Sequence, residues 1–103
     1  MKQIIDGKTY NTETATEVCD LPCNYFGGDF QFHNTKLYQT KKGTFFLAGK
    51  GGPMSMWAVS SGNGVTGSSG IRVLTEQEAR TYMEEAQCDE DDYKKVGLEI
   101  EEG

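Results

Sequence analysis

Several short stretches of this chain combine apolar, aromatic and β-branched residues with polar ones, a composition typical of half-buried β-strands. Two pairs of such stretches flank turn-forming residues: 3–5 and 8–10 around Asp6-Gly7, and 37–40 and 44–48 around Lys41-Lys42-Gly43. Glycine accepts a positive φ without a Cβ clash, so each pair predicts an antiparallel hairpin.

Three further stretches carry strand-like or ambiguous patterns. Residues 30–33 alternate apolar and polar, and residues 71–74 form a short apolar run; we predict a strand at each. Residues 54–59 fit a strand or a helix equally well. The glycine pair Gly27-Gly28 predicts a loop, and the glycine- and serine-rich residues 60–70 predict a mobile surface loop.

A short N-terminal helix is predicted over residues 12–20. Ala15, Val18 and Cys19 recur there at helical spacing, and Asn11 precedes them as a candidate N-cap. Pro22 disfavours helical geometry in the residue before it, so the helix should end by Leu21.

The strongest helical pattern begins at Thr75. Thr75 and Glu78 have the spacing of a capping box, and Ala79 and Met83 continue as an apolar stripe. We predict a helix from residue 76 to about residue 87, with Asp89 capping a further turn that ends near residue 97.

Together these elements predict an α+β fold within one domain, residues 1–103. The expected architecture is a small antiparallel sheet of 4–5 strands, a short N-terminal helix and a longer acidic C-terminal helix, with both helices on one face of the sheet. The chain has no apolar run long enough to span a membrane, and Asp6 follows the N-terminus too closely for a signal peptide. We therefore expect a cytoplasmic protein without a membrane partner.

Negative charge is concentrated in the last quarter of the chain. Residues 76–103 carry eleven acidic and three basic side chains, whereas residues 1–75 carry five acidic and seven basic ones. A segment this acidic repels nucleic acid and attracts basic protein surfaces. The run 89–92 is either a solvated helix cap or part of an interaction surface.

Other candidate chemistry is weak. Residues 62–67 match the dinucleotide motif G-x-G-x-x-G, but a predicted strand follows where that motif requires a helix. Cys19, Cys23, Cys88 and His33 are zinc-ligand types at poor spacing, and three thiols do not make a secreted disulfide framework. We predict no catalytic residue, no metal and no cofactor.

Four stretches, residues 5–15, 37–43, 46–53 and 74–79, resemble a family of small accessory proteins from phages and integrated mobile elements of Gram-positive bacteria. The resemblance covers about three quarters of the chain, and its motifs are scaffold features, so it carries no site residues. It implies a stoichiometric inhibitor of host nucleic-acid-handling machinery, of the anti-CRISPR type.

The leading hypothesis is therefore a non-enzymatic protein whose acidic surface binds a basic host protein, with a CRISPR effector as one candidate. The predicted partner-binding residues are the carboxylates of the C-terminal segment and one tryptophan that is either exposed or in the core: Glu84, Glu85, Asp89, Glu90, Asp91, Asp92 and Trp57. The alternative is a small ligand-binding domain or enzyme that uses the glycine-rich loops 49–53 and 60–70. A third hypothesis is an interaction module that forms a homodimer through strand edges.

Overall fold

The computed structural model of the protein describes residues 1–23, 25, 29–62 and 64–100. The predicted loop glycines Gly27 and Gly28 and the last two glutamates of the acidic segment lie outside the described residues. Within the described part, no helix is long and apolar enough to cross a membrane.

The described chain forms eight strands and two helices. The strands are β1 Lys2–Ile5, β2 Lys8–Asn11, β3 Thr16–Asp20, β4 His33–Gln39, β5 Phe45–Gly51, β6 Val59–Ser61, β7 Gly64–Thr66 and β8 Ser68–Leu74. The helices are α1 Glu76–Glu85 and α2 Glu90–Lys95. Four strands form an antiparallel sheet in the order β3-β4-β5-β8, and β1-β2 and β6-β7 are separate two-stranded hairpins.

Both predicted hairpins are confirmed. The β1–β2 turn contains Asp6 at φ 50° and Gly7 at φ 76°, and Gly43 in the β4–β5 turn has φ 94°. Asp6 and Gly7 form a two-residue turn that follows the twist of the paired strands, whereas Gly43 lies in a longer turn over residues 40–44.

Apolar side chains on the two faces of the sheet form two separate cores. On one face, Leu37, Leu47 and Phe45 pack with residues of both helices, including Met83 and Tyr93. On the other face, Phe46 and Ala48 pack with Tyr10 of the β1–β2 hairpin and with Ile71. The sheet therefore has helices on one face, as predicted, and a β-hairpin on the other.

The predicted N-terminal helix is wrong. Residues 12–15 form a turn, in which the Asn11 side chain accepts a hydrogen bond from the Glu13 amide at 2.9 Å. The following residues form β3, which pairs with β4 along the edge of the sheet. Pairing with β4 outweighs the weak helical spacing of Ala15, Val18 and Cys19, because the threonines and Val18 favour an extended backbone.

Two other local predictions are also wrong. Phe30 and Gln31 lie in a turn in which the Asp29 carboxylate accepts a hydrogen bond from the Gln31 amide, and the strand begins only at His33. The described residues of 60–70 are not a loop, since they contribute to β6, β7 and the first half of β8.

The C-terminal prediction is confirmed only in part, because two short helices stand in place of one longer acidic helix. The first helix ends at Glu85, and Gln87, with φ 58°, turns the chain between α1 and α2. The second helix begins after Asp89 and ends before Gly97, which has φ 80°. Two capped helices therefore carry most of the acidic segment.

Candidate acidic interaction surface

The first part of the surface is the exposed side of α1. Reciprocal bonds form its capping box: the Glu78 amide donates to Thr75 Oγ1 at 3.1 Å and the Thr75 amide donates to Glu78 Oε1 at 3.0 Å. Ala79 and Met83 are fully buried against the sheet. This packing fixes the rotation of the helix, so Glu84 and Glu85 are exposed to solvent at its C-terminal end.

The second part is α2, whose first turn is acidic. A second capping box joins Asp89 and Asp92, with amide-to-carboxylate distances of 3.0 and 3.2 Å. Tyr93 is buried in the core on this helix, and Val96 and Leu98 are buried just beyond it. The acidic residues are therefore held on an ordered element and not on a loose tail.

The predicted carboxylates divide into two roles. Asp89 and Asp92 cap the helix, and they add negative charge near its N-terminus, which the helix dipole favours. Glu90 and Asp91 are exposed in the first turn of α2. The other predicted carboxylates, Glu84, Glu85, Glu90 and Asp91, are exposed and take no part in a cap or in the ion pairs found among the described residues.

A shallow groove runs between the two helices and brings part of this set together. Its lining includes Glu84, Asp89 and Glu90, together with Glu99. Glu85 and Asp91 do not line the groove. The sequence did not mark Glu99 as a site residue, because only the return of the chain after α2 places it beside α1.

Basic side chains neutralise little of this surface. Arg80 lines the same groove, donates from Nη1 to the Glu99 carbonyl at 2.8 Å and lies 3.9 Å from the exposed Glu76 carboxylate. The ion pairs found among the described residues involve no lysine of the acidic segment. Lys94 and Lys95 extend into solvent in the last turn of α2.

The field of the carboxylates reaches the adjoining core. Burial raises the pKa of the Tyr93 hydroxyl, and the negative charge of Glu84 raises it further. Glu84 and Tyr93 both line the groove.

Trp57 is in the core and does not belong to the surface. Its side chain is 6% exposed, its indole N–H donates to Thr35 Oγ1 at 2.7 Å, and the Arg72 guanidinium lies 5.7 Å from the ring centroid. The core interpretation of this residue is correct, and an indole this buried offers no contact to a partner.

The three thiols lie in two separate environments. Cys19 and Cys88 both pack against the helix-side core, and burial, with a smaller effect of Cys88, raises the pKa of Cys19 to about 12. Cys23 instead accepts a weak hydrogen bond from the His33 amide at 3.5 Å, while the His33 ring bonds to Thr35 Oγ1 through Nδ1 at 3.0 Å. Across the described ranges, no three His, Cys, Asp or Glu residues are grouped as metal ligands.

The glycine-rich segments are occupied by internal packing. A Cβ on Gly52 would lie 2.5 Å from the Phe30 carbonyl oxygen, and a Cβ on Gly67 would collide with the Gly51 carbonyl oxygen. Missing side chains here let backbone segments pack against each other. β8 follows Gly67, where a dinucleotide motif would require a helix.

No protein-family model, curated protein or solved structure matches this chain. The resemblance to accessory proteins of phages and mobile elements therefore stays a prediction.

Proposed function

We propose that this protein is a non-enzymatic inhibitor that binds a basic surface of a nucleic-acid-handling host protein through its two C-terminal helices. One observation carries the proposal: Glu84, Glu85, Glu90 and Asp91 are exposed on two capped helices that buried residues anchor to the sheet. Carboxylates on such a scaffold present negative charge with little loss of backbone freedom on binding.

The proposed mechanism is competition for a cationic channel. Proteins that bind nucleic acid gain much of their affinity from Lys and Arg contacts with phosphates, and a fixed row of carboxylates can engage the same groups. CRISPR effectors hold the guide–target duplex in a positively charged channel and are one candidate class of partner.

The test uses an isosteric variant that removes charge without removing the helix caps. The variant carries Glu84→Gln, Glu85→Gln, Glu90→Gln and Asp91→Asn and leaves Asp89 and Asp92 in place. Wild-type and variant proteins are immobilised and used to capture proteins from a bacterial host lysate at low and at high ionic strength.

The matched control removes the same number of negative charges elsewhere, with Asp6→Asn, Glu13→Gln, Glu17→Gln and Asp20→Asn. All four control positions are exposed and lie outside the two helices. We expect the helix variant to lose the captured partner and the control variant to keep it. High salt should release the partner from the wild type, because exposed charges are screened within about 10 Å at 0.1 M salt. Equal capture by both variants would refute the proposed surface.

The alternative function, a ligand-binding domain or enzyme built on loops 49–53 and 60–70, has one supporting feature. A cavity of about 570 Å³ is lined by Lys50 and Asp29 beside Gly51, Gly52 and Ser69. Internal packing accounts for the neighbouring glycines, so the acidic surface is the better-supported site. A homodimer through the edge strands β3 and β8 stays a prediction, and light scattering tests it.

A further inference from the structure

A cavity of about 460 Å³ opens on the side of the molecule where the tips of two hairpins meet. The β1–β2 hairpin packs across the sheet, with the Tyr10 ring edge-on to Phe46 at a centroid distance of 5.5 Å. This contact places the first hairpin turn beside the β4–β5 turn. The cavity volume falls within the range of small-molecule sites, roughly 300–1,000 Å³.

The lining of this cavity is cationic and rich in hydroxyl groups. Its charged residues are Lys8, Lys41 and Lys42, and no carboxylate contributes to the lining. The other side chains that line it are those of Thr9, Tyr10, Asn11, Thr14, Ala15, Thr40 and Thr44. Three of the ten basic residues of a chain with net charge −6 thus surround one cavity.

Within the part of the chain that the structure describes, these three lysines form no ion pair with a carboxylate. The ion pairs found there involve Lys36 and Arg80 instead. Lysines at hairpin turns also discourage edge-to-edge pairing, but that role does not require the turns of two hairpins to face each other across one cavity. The convergence of lysines from two separate hairpins favours an anionic ligand between them.

Local hydrogen bonds hold both walls in place. In the β4–β5 turn, the Gly43 amide donates to the Thr40 carbonyl at 2.9 Å and the Thr44 amide donates to Thr40 Oγ1 at 3.1 Å. The side chain of Gln39 also donates to the Val96 carbonyl at 2.9 Å, which ties the strand before the turn to the end of α2. On the opposite wall, the Asn11 carbonyl accepts the amides of Thr14 and Ala15.

We propose that this cavity is a binding site for a small organic phosphate, with Lys8, Lys41 and Lys42 contacting the phosphate oxygens. Lysine ammonium groups suit phosphate as compact charges, and threonine hydroxyls with the Asn11 amide supply hydrogen bonds. The methyl groups of Ala15 and of the lining threonines provide the apolar surface for the organic part. This site is separate from the acidic surface and does not depend on the proposed inhibitor function.

The experiment measures binding of ADP and of inorganic pyrophosphate by isothermal titration calorimetry, with amide chemical shifts locating the site. The test variant is Lys8→Gln, Lys41→Gln, Lys42→Gln, and the control is Lys2→Gln, Lys94→Gln, Lys95→Gln, which removes the same charge from exposed positions outside the cavity. We expect ADP to bind wild type and control and to shift the amides of residues 40–44. We expect it to bind the test variant about tenfold more weakly, because three exposed charge contacts, each of about 0.5 kcal/mol, are lost together.

Three outcomes would overturn the proposal. They are no binding of either probe at millimolar concentration, equal weakening in the control, and shifts located away from the two hairpin turns. A short single-stranded oligonucleotide is titrated in parallel. If it binds tenfold more tightly than ADP at the same lysines, the site is a nucleic-acid contact and the small-molecule proposal fails.

Discussion

Replacing Thr35 by valine should destabilise the protein, although valine has the same shape and is more apolar. Thr35 is 1% exposed, and its hydroxyl accepts the Trp57 indole N–H at 2.7 Å and contacts His33 Nδ1 at 3.0 Å. Valine removes this acceptor while the surrounding residues still exclude water from the indole.

The magnitude follows from the buried N–H that loses its partner. Leaving a buried donor unsatisfied costs about 1–3 kcal/mol, whereas the added methyl group of valine gains less than about 1 kcal/mol. We therefore expect a net loss of about 1–2 kcal/mol in the free energy of unfolding. For a domain of this size that lowers Tm by roughly 5–15 °C.

The assay is urea unfolding monitored by far-UV circular dichroism, which also reads variants that lack the single tryptophan, Trp57, and Thr35→Ser is the matched control. Serine keeps the hydroxyl and loses one buried methyl group, at a cost of about 1 kcal/mol or less. A double-mutant cycle with Trp57→Phe isolates the hydrogen bond, because phenylalanine has no N–H to leave unpaired. If Thr35→Val is as stable as the wild type, the bond contributes nothing and the reasoning is wrong.

Three further predictions concern the elements around the two proposed sites. Thr75→Ala should lower the free energy of unfolding by about 1 kcal/mol through loss of the α1 cap, measured by thermal circular dichroism, whereas Thr75→Ser should not. Gly49→Ala should destabilise the sheet, because a Cβ there would lie 2.8 Å from the Thr35 Cα and even closer to the Asn34 carbonyl oxygen; an unchanged Tm would contradict this close approach. In the folded protein the pKa of the Cys19 thiol is raised from 9.0 to about 12. The contribution of this thiol to the free energy of unfolding is therefore complete below pH 9 and is lost as the pH rises toward 12. Cys19→Ala should therefore lose less stability than wild type between pH 9 and 11 in urea titrations, and equal losses would refute this assignment.

Local chemistry explains which elements could be predicted from sequence. Asp6-Gly7 and Gly43 specify their turns, and the Thr75–Glu78 and Asp89–Asp92 pairs specify both helix starts, because each signal acts over a few residues. Residues 16–20 were misassigned as helix because their strand depends on β4, which is distant in sequence. Composition favours a loop over residues 60–70, but pairing of β6 with β7 and of β8 with β5 holds the described residues there in strands.

The candidate sites, too, could be predicted from sequence only where the signal is local. The acidic run was visible in composition, but its division into capping and exposed carboxylates required the capping geometry of α2. The lysine cavity could not be predicted, since Lys8 lies more than thirty residues from Lys41 and only the packing of Tyr10 on Phe46 brings the two hairpins together. Trp57 could be placed in the core only once its hydrogen bond to Thr35 was known.

The most direct test of the central claim is displacement of nucleic acid from the captured basic partner. The partner is loaded with a fluorescently labelled oligonucleotide of the kind it binds, and the protein is titrated in while anisotropy is measured. We predict stoichiometric release of the oligonucleotide by the wild type and by the control with substitutions at residues 6, 13, 17 and 20, and no release by the variant with substitutions at residues 84, 85, 90 and 91. A ternary complex with the oligonucleotide still bound, or equal release by both variants, would contradict the account.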